Sequence, residues 1–156
     1  MELRSAVDED AAAVADIWQA GWRDGHLGHV PDALLAIRTP ESFRQRAAAR
    51  IPHTTVAVVD GVVAGFVVVD DDEVEQVYVA AGQRGTGVAQ RLLTEAERQV
   101  AAAGHRTAWL AVVAGNARAR RFYERSGWSD GGAFDYAADA PGGTIAVPAR
   151  RYLKQL

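Results

Sequence analysis

The stretch VEQVYVAAGQRGTGVAQRLL, residues 74–93, decides the fold because a glycine-rich turn joins two kinds of element within it. The residues before the turn alternate in polarity, which predicts a β-strand over residues 73–80. After the turn, apolar residues recur at helical spacing, which predicts a helix over residues 87–103 that ends at Gly104. The apolar positions are Val88, Leu92, Leu93, Ala96 and Val100.

Further strands and helices surround this unit. Thr39 followed by Pro40 is a helix-start signal, and Asp60-Gly61 between two apolar runs is typical of a hairpin turn. Helices are predicted over about residues 8–22, 40–50 and 116–126, and strands over residues 2–6, 54–59, 62–70 and 107–113. Two last strands are predicted to be joined by a glycine-rich loop that runs from SDGGAF to PGGT, and the segment GHLGHVPDALL is expected to be irregular. This order of elements predicts a mixed α/β sheet.

The composition indicates one ordinary globular domain over residues 1–156, with 49% hydrophobic and 24% charged residues. The net charge of -3 gives no general attraction to nucleic acid. The charged start MELRSAVDED and the lack of an apolar run of about 20 residues favour a cytoplasmic protein without a membrane partner. The chain has no cysteine, which excludes disulfides and thiol intermediates, and four scattered histidines predict no metal site.

The glycine-rich turn has the properties of a phosphate site. The first turn of a helix carries unpaired N–H groups and a partial positive charge, and glycine lets phosphate oxygens approach them. Every residue of the segment 83–89 keeps its N–H group, because the five prolines lie elsewhere. Arg84 and Arg91 add positive charge that can bind the same oxygens. The turn is therefore predicted to hold a phosphate group.

Two common nucleotide-binding motifs do not match the turn. A nucleoside triphosphate loop needs lysine and then serine or threonine after the last glycine, where this chain has Val88-Ala89. A dinucleotide fingerprint needs a third glycine where this chain has Gln90. A plain strand-to-helix turn without a ligand remains open on these residues alone.

The turn is one part of a longer pattern. The pattern consists of Val77-Tyr78-Val79, Arg84-x-x-Gly87-x-Ala89, Asn116, Tyr123 within RRFYERSGW, and Gly127-Trp128. It covers residues 70–128 and resembles the GCN5-related N-acetyltransferase (GNAT) superfamily. The resemblance implies a mixed, mostly antiparallel sheet of six to seven strands with about four helices and a splayed parallel strand pair at the centre.

The same resemblance implies that acetyl-CoA binds as co-substrate between strands 73–80 and 107–113. The backbone of Val77 and Val79 would bond the pantetheine arm as an added strand does, and the diphosphate would rest on the N–H groups of residues 84–90. The cofactor-binding residues implied are Val77, Tyr78, Val79, Arg84, Gly85, Thr86, Gly87, Val88, Ala89, Gln90 and Asn116.

Tyr123 matches the tyrosine that protonates the leaving thiolate in this superfamily. The base is less well marked, because Ala111 stands where some members carry a glutamate. Glu75 is the first choice and Glu73 the second, since other members place a water-assisted glutamate on this strand, and strict alternation would put both on the face of Val77. Without cysteine, direct attack of the amine in a ternary complex is the simplest route.

Aromatic and acidic residues are candidates for an acceptor site. Trp22 and His26 lie in the region that covers the acceptor in the superfamily, whereas Trp18 shares a helical face with apolar residues and is expected in the core. Asp135, Tyr136 and Asp139 are expected in a late loop that attracts a cationic amine. The preferred acceptor is a small primary amine such as an antibiotic, amino acid or polyamine.

The sequence thus predicts an acyl-CoA-dependent N-acetyltransferase that uses no metal. A protein amine as acceptor, a different acyl-CoA as donor, and a non-catalytic acyl-CoA-binding or regulatory domain remain alternatives. A homodimer is left open as the assembly state.

Overall fold

The computed structural model describes all 156 residues, which form one seven-stranded sheet with helices on both faces. The strands are β1 (Glu2–Ser5), β2 (Thr54–Val59), β3 (Val62–Asp70), β4 (Glu73–Val79), β5 (Thr107–Val113), β6 (Ser129–Ala140) and β7 (Gly143–Gln155). The helices are α1 (Ala11–His26), α2 (Asp32–Ile37), α3 (Pro40–Arg50), α4 (Val88–Ala102) and α5 (Ala117–Arg125). None of them is both long enough and apolar enough to cross a membrane.

The strands lie in the order β1-β2-β3-β4-β5-β7-β6, and only β4 and β5 are parallel. These two strands pair at a single position, Glu73 opposite Trp109. There the Trp109 amide donates to the Asp72 carbonyl at 3.1 Å, and the indole N–H donates to the Asp72 carboxylate at 3.0 Å. Beyond this clamp the strands pair no further, which confirms the predicted mixed sheet with a splayed parallel pair at its centre.

Each face of the sheet has its own apolar core. On one face, Leu92 and Leu93 of α4 are fully buried against the strands. On the other face, Trp18 of α1 meets Phe43 of α3 edge to face, with ring centroids 6.0 Å apart, and also packs on Phe66 of β3. The prediction that Trp18 belongs to the core is therefore confirmed.

Local signals placed several element boundaries correctly. The Thr39 hydroxyl accepts a hydrogen bond from the Ser42 amide at 3.1 Å and caps α3, which begins at Pro40. Asp60 and Gly61 both have positive φ angles, as the predicted hairpin turn between β2 and β3 requires.

Two predicted irregular segments are regular instead. The segment GHLGHVPDALL contains the end of α1 and most of α2, because Leu34 is buried and Asp32 lies in the first turn of that short helix. The residues SDGGAF belong to β6 rather than to a loop, since a register shift between Asp130 and Ala133 absorbs the glycine pair as a bulge. The count of helices is five rather than about four.

Candidate active site

The gap between β4 and β5 opens into a cavity of about 1050 Å³. We call one side of it the turn end, which is formed by Gln83, Arg84, Gly85, Gly87, Ala89 and Gln90. We call the other side the arginine end, which is formed by Arg38, Arg46, Arg50, Glu73, Glu75 and Tyr136. Tyr123 lines the same cavity, so one space connects the predicted phosphate site with several ionisable side chains.

The turn end presents backbone amides without partners. The N–H groups of Gly85, Gly87, Val88, Ala89 and Gln90 donate to no acceptor of the protein. Gly87 caps α4 with φ 88°, a left-handed conformation that favours glycine. Unpaired amides at the start of a long helix form an anion site.

The remaining residues of the turn stabilise it from within. The amides of Arg84 and Thr86 donate to Ala81 and Gln83 at 3.3 and 3.4 Å, so they are less free to bind a ligand than the other amides. The Thr86 hydroxyl also bonds to Gln83. The Val88 side chain is buried in the core and anchors the first turn of α4.

The edge of β4 that faces the gap carries free backbone groups. Ala80 donates to the Ala64 carbonyl of β3 at 2.8 Å, and antiparallel strands bond their partner at every second residue. The N–H and C=O groups of Val77 and Val79 therefore point toward β5, which does not pair with them. An extended ligand can bond this edge as an additional strand would.

Two glycines let α1 approach the cavity closely. A side chain at Gly21 would collide with the ring of Tyr78, and a Cβ atom at Gly25 would lie 2.6 Å from the amide nitrogen of Asn116. Asn116 uses its oxygen to cap α5 through the Ala119 amide at 3.2 Å. Its NH2 group is thereby fixed at the cavity wall.

Tyr123 of α5 is held by aromatic neighbours. Its ring packs on Phe122, Trp128 and Tyr152, with centroids 5.3 to 6.3 Å away. Its hydroxyl has no hydrogen-bond partner in the protein, and burial raises the pKa of Tyr123 to about 12. The phenol is therefore protonated at neutral pH and free to donate to a ligand in the cavity.

Glu73 is the carboxyl group whose protonation is balanced near neutrality. Burial raises its pKa to about 7; the hydrogen bond from the Tyr136 hydroxyl, at 2.8 Å, opposes the rise, and the charges of Glu75 and Asp70 add to it. A carboxylate with this pKa can take up and release protons at neutral pH.

Glu75 is in a different situation. It occupies a bulge in β4, because Gln76 pairs with Val68 while Val74 pairs with Val69. The Arg50 guanidinium binds both oxygens of the Glu75 carboxylate, with Nε to Oε1 at 2.9 Å. Glu75 is thus a partner in an ion pair.

The bulge also corrects the predicted alternation of β4. Val74, Val77 and Val79 pack on the α4 side of the sheet. Glu75 instead reaches α3 on the other side, through Arg50. Glu73 and Glu75 therefore lie on the face opposite Val77, because the extra residue at the bulge reverses the alternation between Glu75 and Val77.

The three arginines of the arginine end were not predicted from the sequence. Arg46 of α3 lies over the Trp18 ring, 4.4 Å from its centroid, and Arg38 follows directly after α2. The signal in the sequence is that Arg46 and Arg50 share a helical face with the buried Phe43. Arginine on the buried face of a helix indicates a functional or paired group.

Trp22 and His26 line the cavity, and their predicted role in binding an acceptor stays a prediction. Their rings are stacked, with centroids 4.6 Å apart, and the Nδ1 atom of His26 lies 2.9 Å from the Trp22 carbonyl oxygen. Burial, together with the positive charges of Arg38 and Arg46, lowers the pKa of His26 to about 4. The imidazole is therefore neutral at pH 7.

The predicted acidic loop is part of strand β6. Tyr136 and Asp139 line the cavity, whereas Asp135 does not. Tyr136 is bonded to Glu73, so its main contact is with a carboxylate of the protein. No group of three or more histidine, cysteine or acidic side chains is placed to hold a metal ion.

Comparisons with known proteins identify a matching family and a shared fold. The acetyltransferase (GNAT) family model matches residues 12–128, and a search of curated proteins finds no match.

Solved structures share the fold. A GCN5-related N-acetyltransferase from Rhodopseudomonas palustris has a TM-score of 0.77 at 20% identity, over 99% of this chain and 95% of that one. PaiA N-acetyltransferase from Thermoplasma acidophilum, in complex with coenzyme A, has a TM-score of 0.74 at 17% identity, over 99% and 98%. YncA from Salmonella typhimurium, with its cofactor acetyl-CoA, has a TM-score of 0.70 at 20% identity, over 100% and 94%.

Proposed function

The chain belongs to the GNAT family of acetyltransferases, and we propose that it moves the acetyl group of acetyl-CoA to the amine of a small molecule by direct attack. The observation that carries this proposal is the single cavity that joins four residues with unpaired amides, Gly85, Gly87, Ala89 and Gln90, to Glu73 and Tyr123. One space thus offers a place for a diphosphate, a base and an acid.

The turn end fits the cofactor. We assign the diphosphate to the amides of Gly85, Gly87, Val88, Ala89 and Gln90, where the helix dipole favours negative charge. The free backbone edge of Val77 and Val79 suits the amide groups of the pantetheine arm. When bound, acetyl-CoA supplies an acetyl thioester as the group to be transferred.

Glu73 is the proposed base. An amine with a pKa of about 10.4 is almost fully protonated at pH 7 and cannot attack until it loses a proton. Glu73, with its pKa of about 7, accepts that proton directly or through one water. The sequence favours Glu75, but the carboxylate of Glu75 is occupied by Arg50, and we propose that it orients that arginine.

Tyr123 is the proposed acid. Its pKa of about 12 keeps the phenol protonated, and a leaving thiolate resembles a free thiol of pKa about 8.5. Because a thiolate is a weaker base than a tyrosinate, Tyr123 assists by donating a hydrogen bond to the sulfur as negative charge develops on it, and solvent supplies the proton that finally converts the released thiolate to a thiol. Positioned donors of this kind contribute about 10² to 10⁴ in rate.

The arginine end has features that favour a small acceptor. Side chains of α1, α2, α3, β4 and β6 surround this part of the cavity, and several are half-buried. Ala111 lines the cavity where some family members carry a glutamate. These features support a small amine over a protein terminus.

Calorimetry followed by a thiol-release assay tests the proposal. Coenzyme A and acetyl-CoA should both bind, and free thiol should appear only when an amine from a mixed panel of amino acids, polyamines, aminoglycosides and peptides is added. Binding without thiol release on any amine would favour a non-catalytic acyl-CoA-binding domain. No binding of either nucleotide would contradict both functions.

A further inference from the structure

Two guanidinium groups of the arginine end have no partner. The Nε atom of Arg38 and the Nη1 atom of Arg46 are buried without a hydrogen bond, and no carboxylate lies within ion-pair distance of either side chain. Arg50, one helical turn from Arg46, is by contrast bound by Glu75 and lies 3.6 Å from Asp70. Among the three arginines of the arginine end, only Arg38 and Arg46 are therefore unpaired, and they are the arginines with a buried nitrogen that has no partner.

Such a pair is unfavourable in the protein alone. Buried cations lose hydration, and no neighbouring anion compensates for the loss. Burial, together with the charge of Arg38, lowers the pKa of Arg46 to about 10, so the group stays charged at pH 7. The faces of Trp18 and Phe43 hold the Arg46 guanidinium in place, at 4.4 and 5.6 Å from the ring centroids.

Asp139 is the carboxylate with the largest electrostatic effect on the two arginines, but it does not neutralise them. The charge of Asp139 acts on both arginines, but its side chain is exposed and forms no ion pair. Glu73, the other cavity carboxyl, is bonded to Tyr136. The arginine end thus has a carboxyl suited to an amine and, separately, two cations suited to an anion.

We propose that the acceptor is an amine that also carries a carboxylate, as amino acids do, and that Arg38 and Arg46 bind that carboxylate while the amine lies near Glu73. The proposal rests on the proposed acetyl transfer and narrows its substrate class. Guanidinium groups bind carboxylates with charge-assisted hydrogen bonds. Polyamines and aminoglycosides, which carry only positive charge, would meet two cations here.

Matched acceptors test this specificity. At saturating acetyl-CoA, kcat/KM is measured for several amino acids, for the carboxamide of each, and for the amine that lacks the carboxyl group. We expect the free carboxylates to exceed their carboxamides by about 100-fold. Equal rates within each pair, or faster turnover of polyamines, would overturn the proposal. Aminophosphonates in the same panel show whether other anions are accepted.

Variants of the two arginines test whether these residues cause the preference for carboxylate acceptors. Arg46→Met and, separately, Arg38→Met should reduce the ratio of carboxylate to carboxamide turnover toward one, mainly through KM. Arg44→Met on the exposed side of the same helix is the matched control and should keep the wild-type ratio, since Arg44 pairs only with Glu41. A ratio that is unchanged in both cavity variants would contradict the assignment.

A binding measurement separates this proposal from acetyl transfer itself. In the presence of coenzyme A, N-acetylglycine should raise the Tm of the wild type, whereas N-acetylglycinamide and the Arg46→Met protein should show a much smaller shift. A carboxylate-specific shift without turnover on any amine would support the anion site and contradict the acetyltransferase function. Turnover of amines with no carboxylate preference and no such shift would contradict the anion site alone.

Discussion

The turn end and the arginine end of the cavity are built in opposite ways. The turn end consists of contiguous residues, 83–90, and we propose that its unpaired backbone amides bind the diphosphate. The arginine end combines side chains from α3, β4, β6 and the residue after α2. A backbone site depends on a short local pattern and is visible in the sequence, whereas a side-chain site depends on the tertiary fold. The first suits a constant cofactor and the second a particular acceptor.

Loss of the Tyr123 hydroxyl should have the largest effect on turnover, because Tyr123 lines the cavity that contains both ends. Tyr123→Phe should lower kcat by about 10³-fold, while the Kd for coenzyme A changes little. Steady-state kinetics and calorimetry measure both quantities. Tyr152→Phe is the control, because that hydroxyl is bonded to Arg120 and Glu124 and does not line the cavity. Comparable loss in the two variants would show that packing, not proton donation, explains the effect.

The two glutamates of β4 have different proposed roles: Glu73 is the base and Glu75 orients Arg50. Glu73 must be ionised to accept a proton, so wild-type kcat/KM should rise with pH and level off above its pKa of about 7. Glu73→Gln should lower the rate near pH 7 by about 100-fold and remove the plateau, because the remaining rate keeps rising with pH toward the amine pKa of about 10.4.

Glu75→Gln serves as the comparison. It should keep the plateau above pH 7 and instead lower stability, since Arg50 loses its bidentate partner. If the plateau is lost in Glu75→Gln and kept in Glu73→Gln, the assignment of the base is reversed.

The turn end can be perturbed through its backbone alone. Gly87 and Gly61 have similar positive φ angles, 88° and 77°, and neither has a neighbour within 4 Å of an added Cβ atom. A β-branched residue at either site costs about 1–3 kcal/mol. In Gly87→Val this cost falls on the turn that is proposed to bind the cofactor, so coenzyme A binding should weaken about tenfold. Gly61→Val should lower stability without affecting binding. Equal affinity in the two variants, measured by calorimetry, would contradict the role of the turn.

His26 should affect stability more than activity. Its pKa of about 4 lies below the unfolded value near 6.5, so the unfolded state binds more protons between these values and stability falls as the pH is lowered. As the pH is lowered from 6.5 to 4, the wild type should lose about 2 kcal/mol more of its unfolding free energy than His26→Gln does. Urea unfolding across this range measures it, with His53→Gln at an exposed position as control. An unchanged slope in His26→Gln would show that other groups cause the acid sensitivity.

The same contrast explains what the sequence could predict. The mixed sheet and the limits of α3 and α4 follow from local signals such as Thr39-Pro40 and the glycine-rich turn, whereas the splayed pair follows from the family resemblance. The family pattern marks the turn because its residues are contiguous. The roles of Tyr123 and the cofactor residues remain predictions for the experiments above.

The rest depends on contacts between distant segments. Period-two alternation could not reveal the bulge at Glu75, because nothing in EVEQVYV marks an extra residue. Arg38 and Arg46 look like surface residues until α2 and α3 are packed against the sheet. The bond between Glu73 and Tyr136 joins residues 63 positions apart, so no local pattern could predict the raised pKa of that carboxyl.

The central claim is that the cofactor's diphosphate binds the unpaired amides at the start of α4. A titration of the ¹⁵N-labelled protein with coenzyme A tests it most directly, by following each backbone amide. The largest shifts are expected at the amides of Gly85, Gly87, Val88, Ala89 and Gln90. Pantetheine, which lacks the diphosphate, should leave these amides nearly unchanged. Coenzyme A binding that leaves these five amides unperturbed would contradict the account.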